Sequence, residues 1–302
     1  MIHVLIGIVL AQGDEYFRSP DDSLVVLNVA HLKSSDLNVD EGTMSAAGTG
    51  TPIHVLLNSL GLALDAESID VSAKQSAVKA WYLTKAHARS KVVVKVNSEV
   101  GAAWQKAHRP PVRQTDPPQP SSEFAMESEG LDYSGSETQG DITIPTPFAS
   151  NGKIDGVRVG MAEGETQAIR YSETFRFLGS SGELKLDPTP GAGVRTVRSG
   201  RFEGPITFSA DRDEFIQNGV PLSHTHLKNG QCDRVGIATD PTGETITLEG
   251  HVRFDLETEK GTSHFRNGDT GVIRLDPALT LLSVKGSGSP LETSVPFLPK
   301  KQ

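Results

Sequence analysis

The chain has 302 residues, only 36% of them hydrophobic, with 30 glycines and 18 prolines; this describes a soluble, β-rich chain long enough for one large or two to three ordinary domains. The formal net charge is -9, to which residues 1–112 contribute -1, residues 113–150 -6 and residues 151–302 -2. No basic stripe of the kind nucleic-acid binding requires and no polybasic membrane anchor is present, and the single cysteine, Cys232, excludes an intramolecular disulfide and a Cys-rich zinc site.

The apolar run in Met1 to Gly13 is too brief to span a bilayer and lacks a basic flank, so it reads as a buried strand rather than a targeting segment. A second apolar run follows from Leu24 to Val29. A Gly/Ser/Thr-rich stretch from Glu41 to Thr51 predicts a loop. Ile53, Leu56, Leu57, Leu60 and Leu64 then fall at helical spacing, and Ser72 to about Arg89 predicts a second helix with Ala77, Trp81 and Leu83 to Ala86 on its apolar side. Lys91 to Val96 predicts a strand, and His87 and His108 read as solvated helix-end residues. Residues 1–112 are thus expected to form an α+β domain.

Residues 113–150 change character, with Pro117, Pro118 and Pro120 followed by an acidic, Ser/Gly-rich tract through Asp141. Such a segment offers little apolar surface to offset its ordering entropy and predicts a linker or long arm. From Gly152 onward short runs alternate polar and apolar residues between glycines, as in Thr174-Phe175-Arg176-Phe177 and His251-Val252-Arg253-Phe254. Period-two alternation predicts half-buried strands. A β-rich region over 151–243 and a C-terminal β region over 244–302 follow, built either as a sandwich or barrel or as an intertwined trimeric β-structure, so the expected fold class is mainly β in several domains.

His224 and His226 stand out in Asn218-Gly219-Val220-Pro221-Leu222-Ser223-His224-Thr225-His226. On a strand both imidazoles point to one face. Two nitrogens are too few for a well-held transition metal, so further ligands would come from elsewhere in the fold or from other copies of the chain. Within one chain Cys232, His251 or His264 are the candidates; a polar turn that happens to hold two histidines is the plain alternative. Asp211, Asp213 and Glu214 have the composition of a carboxylate pair for glycoside hydrolysis and equally that of a charged turn. The sequence lacks a nucleophile elbow, a phosphate-binding glycine loop and a dinucleotide fingerprint.

The segment from Gly204-Pro205-Ile206-Thr207-Phe208 through the histidine pair to Thr239-Asp240-Pro241-Thr242-Gly243 resembles the tip of phage tail central spikes, the membrane-piercing proteins of contractile tails. The resemblance covers residues 204–243. It implies a homotrimeric, non-enzymatic virion protein in which His224 and His226 of three chains hold an iron ion on the threefold axis, in contact with other tail proteins and the host cell envelope. The 76 residues after His226 and the helical patterns near residues 53–90 depart from that family, and extend the reading to a fibre or baseplate component. The competing expectation is a metal-dependent or carbohydrate-active β-domain enzyme using His224, His226 and His251 within one chain.

Overall fold

The computed structural model describes residues 15–19, 22–38, 41–58, 61–77, 81–108, 121–136, 139–162, 164–188, 195–216, 219–276, 281–288 and 292–294; the apolar run before Asp14 lies outside them. Along the chain come β1 (Glu15–Arg18), β2 (Val25–Leu27), β3 (His31–Asn38), β4 (Thr43–Leu57), β5 (Leu62–Gln75), β6 (Trp81–Asn97), α1 (Ser98–His108), β7 (Ser121–Gly135), β8 (Gly140–Ile144), β9 (Phe148–Ala162), β10 (Glu165–Gly179), β11 (Ser181–Pro188), β12 (Arg195–Phe215), β13 (Pro221–Asp240), β14 (Gly243–Thr258), β15 (Gly261–Leu275), β16 (Leu281–Ser287) and β17 (Glu292–Ser294). The chain is mainly β, as expected, and its described strands form one antiparallel sheet in which most neighbours in sequence are neighbours in space.

The N-terminal helices expected over 53–64 and 72–89 are strands instead. Ile53, Val55 and Leu57 alternate inward along β4, Leu62 and Leu64 continue on β5, and Ala86 and Ala88 alternate inward on β6. Cross-strand pairing has overridden an apolar spacing that fits both periods. The Gly/Ser/Thr-rich stretch supplies the first half of β4, because β3 lies so close that a side chain on Gly48 would meet Val29 and the His31 carbonyl. The one helix among the described residues, α1, starts where the Asn97 Oδ1 accepts the backbone N–H groups of Glu99 and Val100, an N-cap. His108 sits at its end and His87 on β6. The acidic tract expected as a linker also enters the sheet, with residues 121–135 pairing β6 on one side and β8 and β9 on the other. Its alternate residues Phe124, Met126, Ser128 and Leu131 face the core while the carboxylates face out.

A transverse crease runs through this sheet. Pairing slips between Thr49 and Ile53, between Asp65 and Ser68, between Arg89 and Val92, between Glu203 and Ile206, between Gln231 and Arg234 and between Glu249 and Val252. Ser90, Lys91, Gly204, Gly250 and His251 take positive φ there, as bulges that bend strands do. In the middle of the sheet the same break splits two strands outright: β8 and β9 are separated by Pro145–Pro147, and β10 and β11 by Ser180. The circuit β7-β8-β11-β12-β10-β9 therefore closes on itself. On both sides of the crease the same face carries the apolar residues, so the sheet folds into two walls around a barrel-like interior with further strands at its flanks.

The walls meet at the N-terminal end. The Phe17 ring on β1 stands edge-on to Trp81 on β6 at 5.7 Å, and the Trp81 backbone N–H donates to Ser23 Oγ. Met44, Val71, Ala73, Trp81 and Leu83 are buried out to the rim of their wall. In the later strands the inner face is unevenly covered away from the crease, where Ile169, Ile216 and Ile273 are buried while other apolar side chains are not. Ile144, Ile206, Val235, Leu248, Val252 and Phe254, near the crease, are buried, whereas Tyr133, Ile142, Leu184, Ile237, Ile246 and Leu275 toward one rim and Phe124, Leu227 and Leu256 toward the other are only partly so.

Candidate functional site

His224 and His226 lie on β13, whose neighbours are β12 and β14. Thr225 and Leu227 share the inward face with Arg212 and Ala210, so the histidines leave the sheet on its outward face. There they stand opposite Asp213 and Asp211, and His226 stands opposite Glu257. The His226 Nε2 lies 3.2 Å from Asp213 Oδ1 and its Nδ1 3.9 Å from Asp211 Oδ1. The two imidazole centroids are 5.1 Å apart at an interplanar angle of 43°. Within one chain this donor set does not converge on a point. Among the described residues no group of three or more His, Cys, Asp or Glu has metal-holding geometry.

The other residues considered for a site within one chain are not brought to the pair. Cys232 faces the core, buried, with burial pushing its thiol up to about 12. His251 sits on the crease with φ 48° and pairs with Asp233 at 2.7 Å, about 20 Å along the strands from His226 by strand rise. His264 pairs with Asp255 at 2.7 Å. His54–Asp65 and His87–Asp132 repeat the arrangement between other strands. The cross-strand His–Asp pair is thus a recurrent element of the outward face, and His224 and His226 sit in its longest instance.

A second constellation lies inside, where sequence reasoning placed none. Along β9, β10, β12 and β13 the inward positions that follow Phe175 and Ala210 away from the crease are Glu173, Tyr171, Arg212, Glu214, Arg158 and Ser223. Beyond them a small apolar cluster of Ala162, Ile169 and Ile216 closes that end. Arg158 grips Glu214 bidentately, Nε to Oε1 at 2.9 Å and Nη2 to Oε2 at 2.5 Å. Arg212 donates to Glu214 Oε1 at 3.1 Å and to Glu173 Oε2 at 3.2 Å, with its guanidinium 4.1 Å from the centre of the Tyr171 ring. Ser223 donates to Glu214 Oε2 at 3.0 Å.

The side chains of Arg212 and Glu214 are only 8% and 5% exposed, so their charges exist there only because they neutralise each other. Burial pushes the Glu214 carboxyl up, but Arg158, Ser223 and Arg212 together hold it below the ordinary range. Burial lifts Glu173 above that range against the pull of Arg212. Burial, and then the charge of Glu173, also lifts Glu244 on the opposite wall, and the Asp276 charge at the end of β15 reaches Arg158 and Tyr171. The polar belt on β9, β10, β12 and β13 thus lies within electrostatic reach of Glu244 and Asp276.

The signal for the belt was parity. Glu173 shares its face with Phe175 and Phe177, and Arg212 and Glu214 share theirs with Ile206 and Phe208. Read as a turn, Asp211 to Glu214 concealed it; read as a strand, the run puts its two aspartates outside and Arg212 and Glu214 inside. Compared with known protein families, curated proteins and solved structures, the chain gives no match.

Proposed function

We propose that the chain is a non-catalytic carrier for an amphiphile, whose apolar chains lie against the partly buried inner faces of strands β7–β15 and whose polar group meets the belt of Arg158, Arg212, Glu173 and Glu214. The observation that carries the reading is that Ile142, Leu184, Ile237, Ile246 and Leu256 have apolar surface facing inward yet incompletely covered. An apolar surface of that kind, bordered by a few convergent polar groups, is what a ligand site requires. Titration with a fluorescent long-chain fatty acid should give saturable binding that unlabelled fatty acid competes away. Ile246→Glu and Leu256→Glu should each abolish it, and His224→Ala on the outward face should not. Binding that fails to saturate, or that survives both inward substitutions, overturns the reading.

The second reading is the virion tail component, a homotrimer with a metal shared by His224 and His226. What favours it is that both imidazoles project together from the outward face, where other copies could supply the missing ligands. It requires three chains per particle and about one metal per three chains, both lost in His224→Ala. A metal-free monomer measured by sedimentation and elemental analysis overturns it.

A further inference from the structure

Strand β9 pairs with β10 over its whole length, but with β7 only as far as Asp155. Among the described residues nothing pairs with the second side of residues 156–162. Half of the backbone N–H and C=O groups of that stretch point away from β10. The outward side chains of the same stretch are Val157, Val159 and Met161, exposed by 44%, 76% and 66%. Ala168 lies beside Val159 on β10, and Phe215 lies one strand further, beside Arg170.

Other edges of the sheet set charges beside their exposed apolar residues. β3 presents Lys33 and Asp36 with Leu32, and β16 presents Lys285 with Leu282, and charged side chains keep an edge from recruiting strands. Residues 156–162 hold one charge, Arg158, and it points inward onto Glu214. The segment that precedes β7 in the chain, residues 109–120, contains Pro110, Pro111, Pro117, Pro118 and Pro120, which lack the N–H a ladder needs.

We propose that residues 156–162 of β9 are the contact between two copies of this chain, paired antiparallel about a twofold axis through Val159. The sequence is self-complementary in that register. Val159 meets Val159 of the second copy, and Val157 meets Met161, which places every exposed apolar side chain of the edge against another. On the inward face Arg158 meets Gly160, so no like charges oppose each other. An isologous contact of this kind closes at two and leaves no free copy of the edge.

The full chain should sediment at two chain masses. Val159→Lys, at a position already 76% exposed, should bring it to one without changing the far-ultraviolet circular dichroism or the thermal midpoint, while Leu282→Lys on the β16 edge should leave it at two. Val159→Cys should form a disulfide between copies under mild oxidation, since paired Cα atoms of an antiparallel ladder lie within disulfide reach; the native Cys232, buried, does not compete. A wild-type monomer, or an assembly of any size that Val159→Lys leaves intact and Val159→Cys fails to cross-link, overturns the proposal. Fatty-acid binding by the Val159→Lys monomer tests the carrier separately, so failure of one reading is distinguishable from failure of the other.

Discussion

Strands β2–β6 and strands β7–β15 follow one plan, a creased antiparallel sheet with its apolar face inward, yet they end differently at the rims. In the first region Phe17 stands edge-on against Trp81 and most inward side chains are buried, with Leu62 and Val96 at one end only partly so. In the second the inward face carries ion pairs between neighbouring strands, Arg158 with Glu214 and Arg212 with Glu173, and more of the apolar side chains keep part of their surface uncovered. The difference lies in what each inward face carries: small and aliphatic residues such as Ala46, Val71, Ala73 and Ala86 in the first, and in the second the partly buried Phe124, Phe177 and Phe208 together with Glu173, Arg212 and Glu214.

The comparison breaks most directly at Glu214. Glu214→Ala takes away the bidentate partner of Arg158 and one of the carboxylates that Arg212 holds, a loss of about 3–5 kcal/mol by the usual consequence of breaking a buried pair, measured by urea denaturation. A loss near zero would mean that water already fills the belt. A paired truncation sharpens the same contrast. Leu57→Ala in the closed region removes a side chain that is 2% exposed and should cost about 3 kcal/mol, while Leu256→Ala at the open rim should cost about 1 kcal/mol, because a partly solvated site loses less transfer energy and leaves less cavity. Equal losses would erase the distinction between the two regions.

The two regions should also part with pH. Glu173 and Glu244 are lifted by burial, so the folded state holds their protons more tightly than the unfolded chain does. Their contribution is complete below the ordinary glutamate value of 4.5 and is lost as pH rises above it. Glu214 and Asp255 are held low, and their contribution is lost as pH falls. Amide exchange in β10, β12 and β14 should therefore quicken on both sides of an intermediate pH, with β4 and β5 changing less. Glu173→Gln or Glu244→Gln should flatten the high-pH limb. An unchanged limb would place the walls too far apart for their carboxylates to interact.

Much of this architecture was legible from alternation alone. Thr174 to Phe177 and Val252 to Phe254 announced strands, and their parity placed the phenylalanines inside. The N-terminal region misled because Ile53, Leu57, Leu60 and Leu64 satisfy helical spacing, and only the pairing of β4 with β5, which sets Ile53 beside Ala66 and Leu57 beside Leu62, decides for period two. The acidic tract misled for a related reason: its composition is that of a linker, but its alternation of Phe124 and Met126 with carboxylates is that of a strand with one wet face. The belt required both lessons, since Arg212 and Glu214 become inward residues only once β12 is known to run unbroken past Asp211.

The smallest effect belongs to the residues that were easiest to see. His226→Asn removes an imidazole 22% exposed from between aspartates 47% and 49% exposed, and pairs that open to water contribute at most about 1 kcal/mol, shrinking further with added salt. Denaturation of His226→Asn should thus nearly superpose on that of the wild type. A loss several times larger would mean that the pair is engaged by something absent from a single chain, and if that loss came with a fall in sedimenting mass, the shared-metal reading would gain over the carrier. A small loss at constant mass would instead class His226 with His54, His87, His251 and His264, as one more cross-strand partner that lets aspartates sit side by side on the outward face of a long sheet.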